Sequence, residues 1–154
     1  MEKLLRQKVS QITTKNTGKW ILGEKMQKII NDINNFIKNQ KWIDIEFKTI
    51  NHNEITLHCG EDIDLPQSEH RLITFTNPSF IKSDLWIRST LEETAASNFI
   101  SIVPIDVSEK IMDRNLDKEN KERNLPAEIL FKIQTGDNEY SYIAAENVVF
   151  KIIN

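Results

Sequence analysis

Between Trp42 and Ile50 the side chains alternate strictly, with Ile43, Ile45, Phe47 and Thr49 taking turns with Asp44, Glu46 and Lys48. Successive side chains of a strand leave opposite faces, so this period of two predicts a strand that buries one face and wets the other. The pattern resumes in Glu54-Ile55-Thr56-Leu57-His58-Cys59, after the turn-forming trio Asn51-His52-Asn53. A β-hairpin follows from two such runs around a short turn.

Ahead of the hairpin stands the clearest helical pattern of the chain. Leu22, Met26, Ile29, Ile30, Ile33, Phe36 and Ile37 recur at spacings of three and four, while Lys25, Lys28, Asp32, Asn35 and Lys38 fall on the other side. An amphipathic helix with such a stripe must cover an apolar surface, and the sheet that begins at Trp42 is the nearest one. A shorter helix is expected over residues 2–12, where Leu4, Leu5, Val9 and Ile12 share a side.

Further strands are expected at Arg71–Thr76, Phe80–Ile87, Phe99–Val107, Glu128–Gln134 and Tyr140–Ile153. Pro104 cannot donate a ladder hydrogen bond, which makes its strand an edge or a bulge. Ala144-Ala145-Glu146-Asn147 interrupts the last strand and predicts a bend. Ser89–Asn98 is expected as a loop or one helical turn. The polar connection near 108–126 is expected to hold a short helix capped by Ser108 and a mobile stretch from Asp117 to Asn124. The fold class expected is α+β: an N-terminal amphipathic helix packed on a curved antiparallel sheet of about six or seven strands. The alternative is a β-sandwich with a terminal helix.

The 154 residues suit a single domain, with a helical region over 1–41 and an antiparallel β region over 42–154. No apolar run approaches the roughly 20 residues of a membrane-spanning helix, and the charged start predicts a cytoplasmic protein without a signal peptide. Residues 1–41 hold nine Lys or Arg against three acids, whereas residues 42–154 hold eleven against twenty. A basic helix docked on an acidic sheet accounts for that division. Nucleic-acid binding through the N-terminal lysines with Trp20 or Trp42 is disfavoured, because the acidic sheet repels phosphate.

All three histidines and the single cysteine lie between His52 and His70. His58 and Cys59 are strand neighbours whose side chains leave opposite faces, so they cannot readily share an ion, and no metal and no cofactor is expected. A smaller site would draw on His58, His70 and Glu46 or Glu54. There is no Gly-x-Ser-x-Gly elbow and no phosphate-binding glycine loop.

Glu61, Asp62 and Asp64 stand together between Gly60 and Pro66, and are the candidate partner-binding residues for a protein with a basic surface. The function expected is a non-enzymatic protein-binding module, most concretely a bacterial toxin-neutralising, immunity-type inhibitor. The alternative is a small enzyme or ligand carrier with Arg71, Tyr140 or Tyr142 pointing into a pocket inside the curved sheet.

Overall fold

The computed structural model describes residues 17–85, 88–92 and 98–153, with the backbone alone for 17–22. The chain divides into two compact units, residues 1–32 and 33–154. The helix expected over 2–12 and the side chains of Leu22, Trp20 and Trp86 lie outside the described residues.

Helix α1 runs Thr17–Lys38 across the boundary between the units. Met26 and Ile30 are buried and Ile29 is half-buried, as the stripe requires. Within the second unit Ile33 and Ile37 are fully buried, and the Phe36 ring meets Phe150 edge-on at 6.0 Å. Beyond Lys38 the chain turns, with Asn39 N and Gln40 N donating to Phe36 O and Ile37 O.

The hairpin is formed by β1 (Trp42–Ile50) and β2 (Glu54–Gly60). Asn51 Oδ1 accepts from Asn53 N and Glu54 N at 2.8 and 2.9 Å, closing the turn. Ile43, Ile45, Ile55, Leu57 and Cys59 are buried, and their strand neighbours are not, except at Thr56 and Gly60. A register shift between Phe47 and Thr49 leaves Phe47 only half-buried, a correction to its place in the core. There the extra residue of a bulge turns the strand off the apolar face.

The remaining elements are β3 (His70–Thr76), β4 (Phe80–Lys82), β5 (Arg88–Glu92), β6 (Ile100–Ile102), α2 (Ile105–Met112), α3 (Leu116–Glu122), β7 (Ile129–Gly136), β8 (Glu139–Ala145) and β9 (Asn147–Ile153). The expected single sheet is corrected to two antiparallel ones, ordered β5-β1-β2-β3-β9 and β4-β8-β7-β6, so the class is α+β with nine strands among the described residues. The division arises where two paired chains bend together. β3 passes through Asn77-Pro78-Ser79 into β4, and β8 passes through Glu146 into β9. Glu146 N donates to Thr76 O and Ser79 N to Ala144 O, so the ladder continues around the corner. Asn77 takes the left-handed φ of 49° that the bend needs, and its Nδ2 donates to Glu146 Oε1. The Ala144–Asn147 interruption is this corner. Between the sheets Phe75 and Phe131 pack ring to ring at 5.2 Å, with Ile73, Ile133 and Ile143 fully buried.

Further expectations are corrected, among them the strand expected over Phe80–Ile87, which stops at Lys82. The first residues of Ser89–Asn98 belong to the edge strand β5, paired with β1 from Trp42↔Glu92 to Glu46↔Arg88. The strand expected over Phe99–Val107 stops at Ile102, because Pro104 starts α2, its carbonyl accepting from Val107 N and Ser108 N. Ser108 is therefore not a cap; it is buried within the helix and donates to Ile105 O.

The stretch Asp117–Asn124, expected as a mobile connection, holds most of helix α3 and several side-chain ties. Asn115 caps α3 by accepting from Lys118 N, and Asp117 and Glu119 sit in its positively polarised first turn. Leu116 is buried in a cluster with Val103, Met112, Leu130 and Ala144. Polar ties complete the anchorage. Glu128, 7% exposed, accepts from Ser79 Oγ and faces Arg114 Nη2 at 3.3 Å and Arg123 Nη1 at 3.4 Å. Arg123 Nη2 reaches Glu146 at the corner at 2.7 Å.

Candidate functional site on the outer face of the five-stranded sheet

Strand register brings a chain of polar side chains together on the face opposite Ile45 and Leu57. Glu46 stands between Arg88 on β5 and His58 on β2, while Asp44 lies across from Gly60, which pairs with His70. His58 pairs with Leu72, two residues beyond His70, so the two imidazoles are diagonal neighbours on one face.

Continuous contacts run along this row. Arg88 grips Glu46 Oε2 through Nη2 at 3.0 Å and Asp64 through Nη1 and Nη2 at 2.8 and 3.2 Å. Glu46 Oε1 lies 3.3 Å from His58 Nδ1, His58 Nε2 lies 3.1 Å from His70 Nδ1, and His70 Nε2 lies 2.7 Å from Ser68 Oγ. Thr90 Oγ1 donates to Asp44, whose other oxygen accepts from Ile63 N.

The acidic segment is thereby folded over the sheet and pinned at several points. Asp64 is held by Arg88, Ile63 is buried with its N–H on Asp44, and Ser68 is tied to His70. Glu61 accepts from Lys41 N. Asp62 adopts a left-handed φ of 57°, and its carbonyl accepts from Leu65 N and Ser68 Oγ. Gly60 is required by close approach: a Cβ there would stand 2.5 Å from Glu69 O. The three acids are thus not one converging cluster, since their polar contacts go to different elements. Leu65, Pro66 and Gln67 are exposed at the loop's crest.

Electrostatics follow from these contacts. Hydrogen bonds from Arg88 hold the Asp64 carboxyl below its ordinary range and raise the pKa of the guanidinium. Burial lowers His58 below 6.5, against the opposing pull of Glu46. Cys59, fully buried on the other face, is pushed up to about 12 by burial and stays a thiol.

The residues assigned to an internal pocket lie elsewhere, apart from Arg71. Arg71 is on the core face at the sheet's rim, where its guanidinium stacks 4.4 Å from the Phe36 ring centre. Tyr140 and Tyr142 pair with Gln134 and Lys132, which alternate with Phe131 and Ile133, so both leave the opposite face of that sheet, Tyr140 exposed and Tyr142 packed against the Leu116 cluster. Lys132 Nζ sits 4.2 Å above the Tyr140 ring. An open depression of about 290 Å³ lies beside Lys41, Trp42, Thr90 and Glu92.

Arg88, Ser68, Asp44 and Thr90 carried no motif signal; Arg88 becomes visible only once β5 is paired with β1. Among the described residues no three His, Cys, Asp or Glu side chains converge as a metal-binding group, and no helix is long and apolar enough to cross a membrane. No protein-family model, curated protein or solved structure matches this chain.

Proposed function

We propose that the protein is a non-enzymatic protein-binding module that presents the 61–69 loop to a partner with a basic surface. Its most concrete form is a toxin-neutralising, immunity-type inhibitor acting in the bacterial cytoplasm. The observation that carries this is the pinning of the loop by Arg88, Asp44 and His70, which leaves its crest exposed. A loop already held in one conformation loses less entropy on binding than a floppy one. Leu65, 44% exposed, offers an apolar anchor, and Glu61, Asp62 and Asp64 supply a negative rim that steers a basic partner.

Ser68 and its histidine neighbours do not favour a nucleophilic reading. The Ser68 hydroxyl lies 2.8 Å from Asp62 O and 3.0 Å from Leu65 O, and an alkoxide beside two carbonyl oxygens is repelled rather than stabilised. The test is association kinetics with a basic candidate toxin at two salt concentrations. Replacing Glu61, Asp62 and Asp64 together by Lys should slow association and weaken its salt dependence. An association rate unchanged by the triple replacement would remove the loop from the interface.

A further inference from the structure

His58 Nε2 and His70 Nδ1 face each other across 3.1 Å, and the groups behind each ring decide which nitrogens carry protons. Behind His58 stands the Glu46 carboxylate, an acceptor only, which places a proton on Nδ1. Behind His70 stands Ser68 Oγ, whose own proton has two carbonyl acceptors, Asp62 O and Leu65 O. With that proton committed to the loop, the hydroxyl oxygen accepts from His70 Nε2–H. Both facing nitrogens then present lone pairs. Two lone pairs at this distance repel, and a cation between them removes the repulsion.

We propose that His58 Nε2 and His70 Nδ1 bind a divalent transition-metal ion of the zinc class, with water in the remaining positions. Metal–imidazole bonds of about 2.0–2.1 Å place two adjacent nitrogens roughly 2.9–3.4 Å apart in octahedral or tetrahedral sites, a range that contains the observed separation. The far nitrogen of each ring is hydrogen-bonded to an acceptor, the outer-shell arrangement that orients ligating histidines. Glu46 is itself fixed by Arg88, whose charge is shared with Asp64. The sequence set His58 and His70 beside Glu46 or Glu54, and the β2–β3 register is what brings the two rings face to face.

Titration of the untagged full chain with Cu²⁺, Ni²⁺ and Zn²⁺ salts, followed by calorimetry, tests the site. One ion per chain is expected, tightest for Cu²⁺. Binding should be lost in His58→Ala and in His70→Ala and kept in His52→Ala, whose imidazole is in the exposed turn. Glu46→Gln should weaken it about 10–100-fold. Nitrogen NMR of the metal-free wild-type chain, which needs no variant to fold, should find the protons on His58 Nδ1 and His70 Nε2. A proton on His70 Nδ1, the absence of saturable binding, or binding that survives both alanine variants overturns the proposal.

Discussion

Two polar networks in this protein use the same residue types in different surroundings. At the corner between the sheets, Glu128 is 7% exposed and shared by Arg114, Arg123 and Ser79, and the ties continue to Glu119 and Glu146. On the outer face, Arg88 joins Glu46 to Asp64, with the Asp64 side chain 69% exposed. Coulomb attraction is similar in kind, but water screens the Arg88–Asp64 pair and is largely excluded from Glu128. Burial therefore makes the corner a structural fastening. The outer face keeps its groups near solvent, where they position a loop and retain chemistry of their own.

The largest expected effect is at the corner. Glu128→Ala removes the carboxylate that Arg114 and Arg123 share, while each keeps a second one in Glu119 or Glu146, and leaving a buried polar group unsatisfied costs about 1–3 kcal/mol. Arg123 Nη1 is buried, lacks a hydrogen bond and faces Glu128 only as an ion pair, so the loss falls on that nitrogen while Nη2 keeps Glu146. Denaturant unfolding measures the cost. A loss no greater than that of an exposed carboxylate would end the distinction between the two networks.

The two networks also differ in how far the sequence announced them. The β1–β2 hairpin was legible to its ends, because alternation and the Asn51–Asn53 turn act locally. The α1 stripe and the Ala144–Asn147 bend were legible for the same reason. β5 was not: of its five residues only Leu91 is buried, so an edge strand with one inward apolar residue has almost no period to read. Helix α3 hid similarly, since Leu116 is its sole buried residue and its order comes from an Asn cap and arginine ties that have no sequence period. Of the candidate loop, the cluster of acids was visible but its pinning was not. Asp64 meets Arg88 across 24 residues, and His58 meets His70 only through strand register.

An intermediate effect is expected at His58, where the outer network passes into partial burial. Its pKa in the folded chain is below 6.5, with burial the main cause, so the unfolded chain takes up this proton at a higher pH than the folded one. Stability therefore rises with pH through the interval just below 6.5 and is lost on acidification into it. In metal-free solution, melts of the wild type and His58→Gln at about pH 7.5 and about pH 5.5 should show a smaller acid loss in the variant. Equal losses would mean that another group dominates in that window.

The smallest effect belongs to Asp64→Asn. Arg88 holds this carboxyl below its ordinary range, so the pair's contribution is present above about pH 3.9 and disappears as the pH falls through the lowered folded value. Both partners are solvated, and exposed pairs add little to global stability, less still in salt. The melting temperature should therefore shift least of the series. The local consequence should be larger than the global one, because Asp64 is one of the contacts that keep the loop on the sheet. Amide exchange from Ile63 to Ser68 should speed up while β1 and β2 stay protected, which separates a loop that opens from a fold that weakens. If Asp64→Asn instead lowered the melting temperature as far as Glu128→Ala, the outer face would be a second structural fastening, and its loop would lose its claim to be a surface held ready for a partner.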